Sequence, residues 1–286
     1  MRSLILVVMM LAGCSTGASG PCRLQAVADL PVTLVHNSIN VKGSVNRSDA
    51  WLTIDTGAER TVLTTTAVRS FLLAHSQRSR TLLTGVGGTT SDADVFADVQ
   101  LGGANFQRRL AEADIPGISA LVGADMLSDY DVEFDLPHRR FRLWHAPNCG
   151  AVDLPWIGPR STMAIQVTGE GQLRVPVLVN GKAVNAMLDS GSGVSLLRTD
   201  AAQRFGVTSA DMATDPQILV RGIGTGSVGV RLHHFNTLDV GGDRSVAPEI
   251  GVGEIQIGSA DMILGLDYLR SHRVWVSYRT GQIFVQ

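Results

Sequence analysis

Two segments of the chain end a hydrophobic run on an acid that is followed by a hydroxyl residue and a glycine. Ala50-Trp51-Leu52-Thr53-Ile54 leads into Asp55-Thr56-Gly57-Ala58, and Ala183-Val184-Asn185-Ala186-Met187-Leu188 leads into Asp189-Ser190-Gly191-Ser192. If the two acids meet, their chemistry follows from electrostatics. Carboxyls roughly 3 Å apart cannot both ionise cheaply, so repulsion holds one proton on the pair and splits its apparent pKa values. One carboxylate can then activate water while its protonated partner supports a carbonyl oxygen, which hydrolyses a peptide bond without metal or covalent intermediate. Gly57 and Gly191 let backbone approach the carboxylates with no side chain in the way. The next position differs: Ala58 offers no donor, whereas the Ser192 hydroxyl can reach the outer oxygen of Asp189. Such a bond favours the ionised form, so Asp189 is expected to carry the charge, Asp55 the proton, and the activity a weakly acidic optimum.

The elements that must position these acids come from an internal repeat. Thr84-Gly85-Val86-Gly87 is answered by Arg221-Gly222-Ile223-Gly224, Leu101-Gly102-Gly103 by Val240-Gly241-Gly242, and Leu121-Val122-Gly123-Ala124-Asp125-Met126-Leu127 by Ile263-Leu264-Gly265-Leu266-Asp267-Tyr268-Leu269. Asp131-Val132-Glu133-Phe134 pairs with Arg273-Val274-Trp275-Val276, and Arg140-Phe141-Arg142-Leu143 with Gln282-Ile283-Phe284-Val285, so the chain is a tandem duplication. Its patterning is mainly β, with helical stretches expected only near 64–76 and 199–205. The repeat lapses between Pro147 and Pro159, where proline and glycine break any continuous strand. The second half restarts at 162–167, followed by a hairpin around Asn180-Gly181, a strong two-residue turn signal, whose second arm delivers Asp189.

Asp-Thr/Ser-Gly after a hydrophobic strand, then a glycine-rich hairpin, then two apolar residues and Gly before a short helix, resembles the retropepsin and pepsin superfamily of aspartic peptidases. The resemblance runs from about Pro31 to Gln286. It implies an acid protease fold: two tandem retropepsin-like β-barrel lobes related by a pseudo-two-fold, spanning 31–147 and 161–286 with a linker at 148–160. Both acids on one chain resemble pepsin-type enzymes and imply a monomer, while the short lobes resemble the retroviral unit. The resemblance implies that Asp55 and Asp189 are catalytic, with Thr56, Gly57, Ser190, Gly191 and Ser192 as support. Thr56 and Ser190 would each bond across to the other lobe's loop. Leu121-Val122-Gly123 and Ile263-Leu264-Gly265 would pack behind the active-site loops. Gly85-Val86-Gly87-Gly88 would form a flap over the cleft; the tyrosine of pepsin-type flaps is missing, and the second copy, 222–226, reads as an ordinary glycine-rich turn. No cofactor and no metal are implied. The substrate would be an extended peptide or protein segment, held by main-chain hydrogen bonds and side-chain pockets.

The N-terminus reads as an export signal: a positive start at Met1-Arg2, then an apolar stretch over 4–12 too short to span a bilayer. It ends in Leu11-Ala12-Gly13-Cys14, which resembles the lipobox of bacterial lipoproteins, and Ser15 resembles the outer-membrane sorting pattern. The expected signal peptide is 1–13, Cys14 the lipidated first residue, 14–30 a leader, and the location the periplasmic face of the cell envelope, anchored by lipid. The alternative is a plain secretory signal. Export leaves Cys22 and Cys149 in an oxidising compartment, where two remaining cysteines read as one disulfide or as two free thiols. A bridge there closes a long loop, with about 4 to 5 kcal/mol in the chain-entropy account. Few residues separate Cys22 from the first expected strand, so no long proregion is expected.

Other features point away from other chemistry. Lys and Arg number 24 against 26 Asp and Glu, a net charge of −2 with no basic run, which disfavours a nucleic-acid partner. The glycine-rich stretches lack the Gly-Lys-Ser/Thr of a phosphate loop and the third glycine of a dinucleotide fingerprint. His233 and His234 fall on opposite faces of a strand and cannot easily share a metal. Asp125 and Asp267 suit the first turn of a helix, where the dipole and free N–H groups favour a carboxylate. Asp131, Glu133 and Asp135 alternate with Val132 and Phe134 as on the solvated side of a strand. Three classes remain: an envelope endopeptidase, a catalytically silent peptide-binding relative, and a glycosidase using two carboxylates. The duplicated setting argues against the last, since glycosidase acids need not sit on matching loops.

Overall fold

The computed structural model describes residues 20–286 except 36, 116, 150–153 and 225. The expected signal peptide, Cys14 and the start of the leader lie outside the described residues, as does the middle of the linker.

The described residues form three sheets, two of which belong to one repeat each. In the first lobe the hairpin Ser38–Val45 with Ser48–Ile54 carries the chain to Asp55; in the second, Leu173–Val179 with Lys182–Leu188 carries it to Asp189. Asn180 (φ 50°) and Gly181 (φ 74°) both occupy the left-handed region, as a two-residue hairpin turn between right-twisted strands requires. Each hairpin's last strand is then wedged into the same pattern. Leu52 to Ile54 run parallel to Ala120–Val122, which also pairs antiparallel with Val62–Thr64. Ala186 to Leu188 run parallel to Met262–Leu264, which pairs antiparallel with Leu196–Arg198. These apolar strands are buried behind the acids, with Leu52, Ile54, Val122, Ala186, Leu188 and Leu264 fully removed from solvent. The helices are short: Thr65–Ser70, Ala124–Leu127, Thr199–Arg204 and Leu266–Leu269.

The third sheet is shared by the two lobes. Its six antiparallel strands run Gln25–Pro31, Arg140–His145, Asp131–Asp135, Arg273–Ser277, Gln282–Val285 and Ser161–Ala164, and the lobes meet where Asp131–Asp135 pairs with Arg273–Ser277. Here the solvated reading of Asp131, Glu133 and Asp135 fails, since all three are buried. Their compensation comes from both repeats and from the linker. Glu133 accepts from Arg273 Nε at 2.7 Å and from the indoles of Trp144 and Trp156, and Asp131 accepts from Trp275 Nε1 and Ser277 Oγ. Asp135 meets Arg142 and His138, and those partners hold its carboxyl below the usual range against the upward push of burial. The alternating pattern was real, but the second face of the strand is covered by tryptophans and cations that sequence spacing does not show.

Cys22 and Cys149 are joined by a disulfide that ties the leader to the interlobe segment. Trp156, within the linker, is buried and stacks edge-on against Trp275.

Candidate active site

The pseudo-two-fold brings Asp55 and Asp189 side by side, hydrogen-bonded to each other at the floor of the cleft. Each is delivered by its wedged strand: Asp55 N–H donates to Val122 O and Asp189 N–H to Leu264 O, both at 3.0 Å. Each carboxyl accepts two backbone bonds at one oxygen, Asp55 Oδ1 from Gly57 (2.9 Å) and Ala58 (3.0 Å), Asp189 Oδ1 from Gly191 (2.9 Å) and Ser192 (3.2 Å). The glycines are obligatory because of the crossing: a methyl group on Gly57 would overlap the Asp189 carboxyl, and one on Gly191 the Asp55 carboxyl.

The hydroxyl residues interlock. Thr56 Oγ1 donates to Leu188 O at 2.8 Å and accepts from Ser190 N–H at 3.0 Å, while Ser190 Oγ donates to Ile54 O at 2.8 Å and accepts from Thr56 N–H at 3.1 Å. All four bonds cross between lobes, and both side chains are fully buried. Asp125 and Asp267 clamp each loop from behind, with partners other than the free N–H groups of a helix start alone. Asp125 Oδ1 accepts from the Thr61 N–H and hydroxyl, and Asp267 accepts from the Ser195 N–H and hydroxyl. Those hydroxyls in turn accept from Gly123 N–H and Gly265 N–H. Thr61 and Ser195 stand at matching offsets from the acids, a signal present in the repeat but carried by no motif.

Ser192 departs from expectation. Its hydroxyl donates to Val194 O at 2.8 Å, a local turn bond that aims it away from Asp189. The proposed asymmetry from an outer-oxygen donor therefore has no basis, and the weakly acidic optimum loses that support. What acts on both acids is enclosure. Burial pushes Asp55 well above the usual carboxylate range, with the charge of Asp189 adding to it, and burial raises Asp189 against the pull of its bonds to Asp55, Gly191 and Ser192. A carboxyl pair partly withdrawn from water this way retains a proton where isolated acids have lost it.

The first glycine-rich turn joins the strands His75–Gly85 and Gly88–Leu101 above the cleft, with Gly88 at φ 110°. The second does not stand apart as an ordinary turn. Gly226 N–H donates to Gly87 O at 2.7 Å, and a methyl group on Gly87 would press within 2.8 Å of Ile223 O. The two loops meet tip to tip and roof the acids from both sides, a pairing hidden from sequence because it joins residues far apart with no complementary charge. Thr225 of the second loop lies outside the described residues. Beneath this roof the cleft opens to either side of Asp55 and Gly191. One cavity of about 600 Å³ is lined by Gln172, Met187, Leu196, Val86 and Ile257, the other of about 800 Å³ by Asn40, Thr53, Ile118, Leu121 and Ile223. Both extend under Arg221. Gln172 went unread in the sequence: it reaches from the second lobe to donate to Gly57 O at 2.8 Å. His233 and His234 are engaged separately, by Asp215 and Glu249.

Residues 165–277 match the family described as aspartyl protease. The structure is similar to that of an aspartic proteinase from Irpex lacteus, with a TM-score of 0.58 at 12% identity, covering 90% of this chain and 96% of that one. At that identity the likeness is one of fold.

Proposed function

We propose, from the match of residues 165–277 to the aspartyl protease family and the fold shared with an aspartic proteinase, that the chain is an aspartic endopeptidase whose working groups are Asp55 and Asp189. The observation that carries this reading is the half-buried, mutually bonded carboxyl pair at the centre of a roofed cleft. One acid ionised and one protonated supply the base that takes a proton from water and the acid that bonds the scissile carbonyl oxygen; the roles then reverse to protonate the leaving amine. The cleft continues on both sides of the pair, as an extended peptide passing across it requires, and main-chain groups of Gly57, Gly85 and Gly222 border its path. Both acids come from one chain, so a monomer holds a complete site. The lipobox at Cys14 motivates placing the protein in the periplasm on a lipid anchor; a Cys14→Ala form is expected in the soluble periplasmic fraction, and wild-type protein recovered there without acyl modification contradicts the anchor.

The experiment is digestion of fluorescently labelled, denatured casein by the mature protein across pH, with and without a statine-type peptide. Cleavage abolished by the statine is the expected result; cleavage indifferent to it, or sensitive to chelators instead, overturns the assignment. A catalytically silent relative would bind the statine and cleave nothing.

A further inference from the structure

A hydrogen-bonded chain leads from a buried cation of the second lobe to the acid of the first. Arg174 is buried on Leu173–Val179, and its Nη2 donates to Gln172 Oε1 at 3.2 Å. With that oxygen engaged, the amide presents Nε2 across the lobe boundary to Gly57 O at 2.8 Å. The same peptide group continues into the Ala58 N–H, which donates to Asp55 Oδ1 at 3.0 Å. A donor at a peptide's oxygen polarises its N–H, and hydrogen bonds in series strengthen one another, the more so away from water. We propose that Gln172 and Arg174 are positioning residues for Asp55: the guanidinium fixes the amide, the amide polarises the Gly57–Ala58 peptide, and that peptide supports the ionised carboxylate. The proposal rests on the reading of Asp55 and Asp189 as the working pair.

Two observations set this chain apart from ordinary loop bracing. Arg174 Nε and Nη1 find no hydrogen-bond partner among the described residues, so no carboxylate takes up its charge directly. Glu59 and Glu170 act on it only through space, while burial weakens its hold on its proton. The second observation is that the first lobe has no counterpart. Asn40 pairs with Thr53 as Arg174 pairs with Met187, two residues before each acid, which makes Ser38 and Asn40 the equivalents of Gln172 and Arg174. Ser38 is too short to cross, and the Asn40 amide is occupied by Ser38 O (3.1 Å) and the Thr53 hydroxyl (2.7 Å). Among the described residues no donor reaches Gly191 O. The support is given to one acid only.

The charged and titratable groups around Asp55 are Asp189 beside it, Tyr278 from the turn that follows Arg273–Ser277, and Glu59 and Arg221 along the cleft. None is altered in the following test. The pH dependence of kcat/KM on labelled casein, which reports the free enzyme, is measured for wild type, Gln172→Leu, Arg174→Met and Arg174→Lys, with carbon-13 NMR titration of the Asp carboxyls assigned through Asp55→Asn. Losing the polarised N–H disfavours ionisation of Asp55, the more strongly raised of the two acids, so Gln172→Leu should extend the alkaline limb of kcat/KM to higher pH, with about threefold more activity at a fixed pH on that limb and the acid limb unchanged, and the pair's titration midpoint should move up. Arg174→Met should shift the same way by less, and Arg174→Lys should restore the wild-type profile. A uniform loss at every pH, with the midpoint unmoved, means the two residues merely brace the loop and overturns the proposal. If wild type cleaves nothing while the midpoint still moves, the protease reading has failed and the chain of bonds stands.

Discussion

The Asp55 loop and the Asp189 loop follow one path through space, yet they are not supported alike. Strand, wedge, glycine, hydroxyl and the clamp by Asp125 or Asp267 recur in both lobes. The neighbours beyond that set diverge: a Gln172 amide crosses to Gly57 O, and nothing crosses to Gly191 O among the described residues. The shared sheet repeats the lesson. Opposed positions of the two repeats have become complementary, with Asp131 facing Ser277, Glu133 facing Trp275 and Asp135 facing Arg273. Symmetry fixes where the two carboxyls sit, and departures from it decide what each one experiences.

The symmetric half of this comparison breaks most sharply at the interlocking hydroxyls. Thr56→Val and Ser190→Ala each remove one buried donor and strand one buried N–H, so each should cost about 2 to 4 kcal/mol in denaturant unfolding, and by similar amounts. Because the two hydroxyls serve each other's backbone, the double variant should lose less than the sum. Strict additivity, or a cost borne by one lobe alone, means that the lock is not reciprocal.

A smaller effect concerns protons. An acid whose folded pKa stands above its unfolded value binds more protons in the native state, so its contribution is complete below the ordinary Asp value and is lost as pH rises towards the raised one. Both acids are raised by burial, Asp55 the further. Thermal unfolding of the wild type should therefore show stability falling over that interval, and Asp55→Asn should flatten the decline and melt higher than wild type at neutral pH. Asp135, held low by His138 and Arg142, acts in the opposite sense, losing its contribution as acid protonates it. A steeper decline in Asp55→Asn contradicts the burial account.

The sequence carried the duplication, the acids, the glycines and the hydroxyls, because each is imposed by local geometry at matching offsets from the strand ends. The mainly β class followed from strand and turn patterning, and the acid protease fold from the resemblance those residues carry. Less legible were contacts made only when the lobes close on each other. Glu133 read as solvated because its compensating Arg273 lies in the other repeat, 140 positions away. The second glycine loop read as a plain turn because its partner is the backbone of Gly87. Ser192 read as a donor to Asp189, and a nearer acceptor, Val194 O, took its proton instead. Gln172 sits in no motif at all, and only the crossing geometry gives its amide a purpose.

The most direct test is casein cleavage by Asp55→Asn, Asp189→Asn and the double variant, each checked for folding by its unfolding transition. Asn keeps the shape of the side chain and cannot titrate. A pair acting as one unit loses turnover entirely when either member is replaced, and the double variant is then no worse than the singles, since effects within a unit do not add. Substantial turnover in either well-folded single variant would mean that Asp55 and Asp189 brace the lobe interface and the chemistry lies elsewhere.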